Sequence, residues 1–175
     1  MKIIQNLQNF LIISRVSENN ALARLDNGMA SNYSPVYHLD HFCFYHGVLH
    51  NSDWLFSLVT PGLESPEKVL IELYLVDQEK FASKLTGSFS IVIGNKDDLF
   101  LVRDGNGCEN LYFSIAPKDD RILISNSIKE IARHHKLEVN TEILPEYFLK
   151  TDLNSGGTFY KDFQTLAFFE YGIIN

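Results

Sequence analysis

Two cysteines, Cys43 and Cys108, stand in 175 residues. That is too few for the disulfide framework that staples small secreted domains. No apolar run approaches the roughly 18 residues a membrane-spanning helix needs, so no span is expected. Positive charge is in deficit: 15 Lys and Arg face 22 Asp and Glu, a net charge of −7. The basic residues form no stripe and are not interleaved with aromatics, which argues against a nucleic-acid backbone as partner. No glycine-rich phosphate cradle occurs anywhere, and no internal repeat is visible. Near the front, Gln5, Asn6, Gln8 and Asn9 interrupt the apolar stretch and no small-residue cleavage site follows, so the opening reads as a strand and not as a signal peptide. The expected setting is cytoplasmic, with free thiols.

What is present is a globular composition, 45% hydrophobic and 13% aromatic, in a length that suits one domain over residues 1–175. Apolar runs at 10–16, 21–25 and 41–45 read as strands, separated by turn clusters such as Asp26-Asn27-Gly28. Residues 66–76 change character. Ser65 suits an N-cap and Pro66 a first helical position, and Val69, Leu70, Leu73 and Tyr74 recur at helical spacing. A second helix is expected over 77–85, with Phe81 and Leu85 on one face. Four short apolar runs follow, at 87–94, 99–103, 111–115 and 121–125. Their short polar connections point most simply to an antiparallel meander. A helix over 127–134 comes next, then one over 141–149 that Pro145 breaks unless it lies in the first turn. Strands and helices in this order make the class α+β.

The stretch 85–134 resembles the N-terminal glutaminase domain of asparagine synthetases. That family has a block of the form L-x-G-x-F, then L-x-L-A-R-D-x-x-G-x-x-P-L-Y-Y, then F-A-S-E-I-K-A. The matching residues are Leu85, Gly87 and Phe89; then Leu99, Leu101, Arg103, Asp104, Gly107, Leu111 and Tyr112; then Ile124, Ser125, Ile128 and Lys129. Thr158, Phe163 and Leu166 are similar to a later T-x-F-x-x-I-x-x-L segment, and Gly172 stands near its Pro-Gly turn. The resemblance implies the four-layer αββα sandwich of N-terminal-nucleophile hydrolases, two antiparallel sheets between helical layers. It also implies a final strand that is incomplete where the sequence stops. The ATP-pyrophosphatase domain that follows in the family, with its S-G-G-x-D-S loop, has no counterpart, and no cofactor is expected.

In the family the nucleophile is a cysteine at position 2 whose own α-amino group serves as base. Here that position is Lys2. The family's oxyanion-hole Asn-Gly pair corresponds to His46 and Gly47, and the aspartate that binds the glutamine amine corresponds to Pro66. The arginine for the glutamine carboxylate has no assignable counterpart; Arg15 and Arg24 are the only arginines in the first hundred residues. The resemblance therefore implies a scaffold with no catalytic residues of its own. Its expected role is that of a degenerate glutaminase-like domain, scaffold or partner of an asparagine-synthetase-like, ATP-dependent amide-forming chain. Lasso-peptide cyclases supply the parallel, since they resemble asparagine synthetase without taking ammonia from glutamine, and they place the expected setting in peptide natural-product biosynthesis. Self-association through the final strand is a weaker expectation. The enzymatic alternative is an amidase or glutaminase with a non-standard nucleophile.

Other polar residues have two readings each. His38, Asp40, His41, Cys43, His46 and His50 carry metal-ligand chemistry, but one strand turns His41 and Cys43 to one face and Phe42 and Phe44 to the other; no metal site is expected. Cys43 as a nucleophile freed by cleavage would cost several strands of the fold. Cys108 reads as a loop thiol, and His134-His135 as cations at a helix C-terminus. Arg103 and Asp104 read either as a strand-end ion pair with Asp104 capping the turn, or, by the resemblance, as part of the loop that faces a synthetase partner.

Overall fold

The computed structural model describes residues 4–6, 11–16, 22–25, 35–95, 97–116, 121–150, 157–166 and 171–174. In chain order the elements are β1 (Ile4–Asn6), β2 (Leu11–Val16), β3 (Leu22–Leu25), β4 (Val36–His38), β5 (His41–Leu49), α1 (Ser52–Ser57) and α2 (Pro66–Asp77), which runs on into a 3₁₀ segment at Gln78–Lys84. Then come β6 (Gly87–Gly94), β7 (Leu99–Arg103), β8 (Tyr112–Ala116), β9 (Arg121–Ser125) and α3 (Ile128–His134). A 3₁₀ turn at Thr141–Ile143 leads into α4 (Leu144–Lys150), and β10 (Gln164–Thr165) and β11 (Tyr171–Ile174) complete the order.

Among the described residues the strands form two sheets. The first runs β1-β5-β6-β7-β11, with β4 beside β1 on the same edge of β5, and the second runs β10-β8-β9-β2-β3. Every pairing is antiparallel. The expected meander is not formed. The hairpin β6–β7 belongs to the first sheet and β8–β9 to the second, because the free edge of β7 is taken by β11 (Ile174↔Leu99 to Tyr171↔Val102). Residues 104–111 thus carry the chain from one sheet to the other.

Strand alternation decides the layers. Cys43, Tyr45, Ile91, Ile93, Phe100 and Val102 point from the first sheet into one core, where α2 delivers Val69, Leu70, Ile71 and Leu73. The alternate residues Phe42, Phe44, Val92, Leu99 and Leu101 enter a second core with Ile122 and Ile124 of the second sheet. Leu123, between those two isoleucines, faces the far side and meets Ile131 and Ile128 of α3. Helix, sheet, sheet, helix is the αββα sandwich. Large side chains with no measurable exposure, such as Phe44, Phe81 and Phe100, each contribute about 1.5–3 kcal/mol of burial. Among the described residues no helix is long and apolar enough to cross a membrane.

Local details depart from the sequence reading in physical ways. Ser65 sits at the N-cap of α2, yet its hydroxyl donates to Glu67 Oε2 at 2.6 Å and caps no backbone amide. The second expected helix is the 3₁₀ segment, closed by the Lys84–Asp77 ion pair. Helix α1 went unread because only Trp54, Leu55 and Phe56 mark it. Pro145 lies in the first turn of α4, where its missing amide costs nothing.

Glu72 ties α2 to its surroundings. It accepts from the Thr60 amide at 3.0 Å and pairs with His38 Nε2 at 3.1 Å. The amide bond first, and the histidine with it, hold its carboxyl below the usual range against the opposing effect of burial. A depressed folded pKa contributes stability that is present above the ordinary carboxylate range and is lost as pH falls through the folded value. The stability gap between wild type and Glu72→Gln is therefore expected to be full near neutral pH and to close on acidification. Urea titrations of both proteins at a series of pH values measure it; a gap that is constant with pH contradicts the assignment.

Candidate functional site

The register across the first sheet puts a polar row at one end of the inter-sheet core. His46 on β5 is the partner of Ser90 on β6, and Ser90 is the partner of Arg103 on β7. Partners in adjacent strands share a face, and the alternation that sends Phe44, Val92 and Leu101 between the sheets sends these three the same way. All are buried, Ser90 completely. The Ser90 hydroxyl is buried without a hydrogen-bond partner.

The crossover after β7 closes over this row. Arg103 sends its guanidinium to Thr165 Oγ1 at 3.1 Å, to the Leu166 carbonyl at 2.8 Å and to the Gly107 carbonyl at 2.7 Å. Asp104, only 1% exposed, accepts from four backbone amides. Oδ1 takes Asn106 and Cys108 at 3.0 and 3.1 Å, and Oδ2 takes Glu109 and Phe89 at 3.0 and 3.3 Å. The turn-capping reading of Asp104 is thereby seen. Both side chains are buried and bonded within the domain, and Asn106, Cys108 and Asn110 of the loop are exposed. Held in this way, the loop delivers Glu109, whose Oε2 lies 3.1 Å from His46 Nε2.

Gly47 follows His46 with φ of +115°, a region that L side chains rarely adopt. A Cβ there would stand 2.1 Å from the Ser88 carbonyl oxygen, so only glycine lets β5 and β6 pair at this point. Tyr45, one residue earlier, donates its hydroxyl to the Gly47 carbonyl at 2.9 Å, and burial pushes its pKa up.

The remaining expected positions fall elsewhere. Lys2 lies outside the described residues. Pro66 opens α2 on the opposite side of the first sheet, beside an apolar hollow lined also by Leu49, Leu55 and Phe56. His46 and Pro66 are therefore not brought to one face. Glu67 is buried and bonded to Ser65. The potential metal ligands are dispersed. His38 pairs with Glu72, and His41 meets Asn95 at 3.2 Å and packs edge-on against Tyr74. Burial lowers the His41 pKa against the pull of Asp40 and Asp98. Cys43 is wholly buried, and desolvation raises its thiol well above the usual range, which leaves it inert as a nucleophile. Among the described residues no three such groups converge.

Sequence reasoning missed Ser90 and Glu109. Ser90 had a signal, a small polar residue inside an apolar strand. Glu109 had none, since it reaches His46 only because the crossover folds back.

Geometry of this kind gives a buried imidazole whose Nε2 is engaged by a carboxylate, beside a glycine in a strained conformation, on an αββα scaffold. Residues 63–175 match the glutamine amidotransferase domain family, and the chain belongs to it. Two solved structures are similar. One is glutamine phosphoribosylpyrophosphate amidotransferase from B. subtilis complexed with ADP and GMP, at 13% identity, covering 69% of this chain and 36% of that one, with a TM-score of 0.47. The other, described as the allosteric regulatory enzyme of purine biosynthesis, has 12% identity, the same coverages and the same TM-score. The chain thus spans 36% of the length of either. Among curated protein sequences none matches.

Proposed function

We propose that this glutamine amidotransferase domain no longer hydrolyses glutamine, and serves as scaffold or partner of an asparagine-synthetase-like, ATP-dependent amide-forming enzyme in peptide natural-product biosynthesis. The observation that carries the reading is the His46–Glu109 pair at 3.1 Å. An oxyanion hole works by aiming donors at developing negative charge. At the position that resembles the family's oxyanion donor, the Nε2 nitrogen is instead committed to a carboxylate, and that carboxylate would repel the charge the hole must stabilise. Pro66 removes the acidic contact for a substrate amine, and the buried thiol of Cys43 offers no replacement nucleophile. The motif block from Leu85 to Lys129 supports the asparagine-synthetase-like setting, and the buried Arg103–Asp104 framework preserves the crossover for a role other than catalysis.

Purified protein incubated with glutamine is expected to release no ammonia above the buffer rate. Ammonia release that a single substitution abolishes overturns the reading. The partner half is tested by co-expression with an ATP-dependent ligase chain carrying an S-G-G-x-D-S loop. Stable co-purification is expected, and a clean monomer at high concentration in its presence counts against it.

One observation favours the second reading, an amidase with a non-standard nucleophile. Ser90, His46 and Glu109 stand in the order hydroxyl, imidazole and carboxylate, that of an activated serine, although the Ser90 hydroxyl makes no hydrogen bond to the imidazole. Ser90 has no exposed surface, which is why the scaffold reading is preferred. Ser90→Ala separates the two, since it abolishes any ammonia release only under the second.

A further inference from the structure

On the outer face of the second sheet, away from the His46 row, lies an open cleft of about 440 Å³. That is within the size range of small-ligand sites. Two backbone frames hold it. Segment 138–140 is joined to 159–161 through the Val139↔Tyr160 bridge, Asn140 N to Phe159 O and Lys161 N to Glu138 O. The loop between is closed on Thr158, whose hydroxyl lies 2.9 and 3.0 Å from the carbonyls of Tyr160 and Phe163. Strand β10 forms the far wall, bridged to Gly157.

The lining has a definite chemistry. Tyr160, backed by the buried Phe163, gives aromatic surface; Phe113 borders the cleft with its ring packed against the inter-sheet core, and Ser114, with a buried hydroxyl that has no partner, sits beside them. Asp162 is the only charged side chain among the described residues that line the cleft. It is exposed and held at φ of +62° by the closed loop. Lys161, one residue earlier, does not line it. A carboxylate beside an aromatic face, with no cation among the described residues that line the cleft, disfavours phosphates and carboxylates and suits a cation with a flat or apolar body. Next to the cleft Phe159 packs against Tyr147 with ring centroids 4.7 Å apart, and Phe148 and Leu149 of α4 are 76% and 84% exposed. An apolar shelf of that kind fits the residue neighbouring the cation in a chain.

We propose that this cleft binds the basic side chain of a peptide, arginine in preference to lysine, with the adjacent apolar residue of the peptide on the Tyr147–Phe159 shelf. Arginine is preferred because its planar guanidinium stacks on an aromatic ring and still reaches a carboxylate. The inference goes beyond the function proposed above and does not depend on it.

The test is NMR titration of the full chain with three probes. N-acetyl-arginine amide is expected to shift the amides of Asn140, Gly157 and Gln164 saturably. The neutral isostere N-acetyl-citrulline amide is expected to bind about fivefold more weakly or worse. N-acetyl-phenylalanyl-arginine amide is expected to bind about fivefold more tightly than the single residue. Asp162→Asn keeps a residue that tolerates positive φ and is expected to bring the arginine probe down to the citrulline affinity, with an unchanged circular dichroism spectrum. Equal binding of arginine and citrulline probes, or an unaltered affinity in Asp162→Asn, overturns the charge assignment. A dipeptide no tighter than the single residue overturns the shelf. No saturable shift at about 20 mM probe overturns the site.

Discussion

Replacing Asp104 with alanine is expected to cost about 4 kcal/mol of folding stability, a large share of what a domain of this size has. The carboxylate is 1% exposed and accepts from the amides of Phe89, Asn106, Cys108 and Glu109. Alanine leaves those donors without their acceptor. The crossover 104–110 must then open to water or carry the unmet groups. Asp104→Asn keeps one oxygen, so it should satisfy one side of the loop and cost about half as much. Urea unfolding of the three proteins measures this as a shift in midpoint at constant slope. A loss below about 1 kcal/mol for the alanine variant would mean that the loop is held by Arg103 alone. Because Glu109 is placed by the same network, loosening it should also release the contact with His46.

Gly47→Ala is the second large effect. The added Cβ would meet backbone, the Ser88 carbonyl oxygen at 2.1 Å and Phe89 Cα at 2.8 Å. Strand backbone in the middle of a sheet cannot give way as a flexible side chain can. Adding the strain of an L residue at φ of +115°, the cost should be about 3 kcal/mol or more. For a chain of 175 residues that lowers the melting temperature by about 10 °C. Calorimetry or a thermal circular dichroism scan reads it, and a melting temperature within about 2 °C of wild type would sink the argument that β5 and β6 require glycine here. The neighbouring Gly87 meets the Val48 carbonyl in the same way, so the two glycines mark both ends of one close approach.

Much of the scaffold was legible because its signals are local. The aromatic run His41–Tyr45 announced a strand, and the Ser65-Pro66 start and helical spacing announced α2. The motif block pointed to a glutamine amidotransferase domain, the class that the family match over residues 63–175 shows. The meander reading failed for a non-local reason. Nothing within residues 99–125 says that β11, more than sixty residues after β7, will occupy the edge that β8 would have taken. The candidate site was half legible. His46 and Gly47 follow from the resemblance, and Pro66 likewise, although it proved to lie on the other side of the sheet. Glu109 and Ser90 depend on register and on how the crossover folds back, and neither is a property of neighbouring residues.

Strand β2 lies inside the second sheet, between β9 and β3, with Leu11 opposite Ser125. Strand β6 leans in the same way on β5, whose last residue pairs with Gly87. The segment that carries the family signature, residues 63–175, is therefore not a unit that can be cut out. A chain trimmed to that span would bare the long edges of β6 and β9 together, two apolar templates for pairing with other copies. The domain boundary drawn by sequence likeness and the boundary drawn by hydrogen bonding differ by the whole front third of the chain. The second is the one that expression, truncation and domain-swapping experiments must respect.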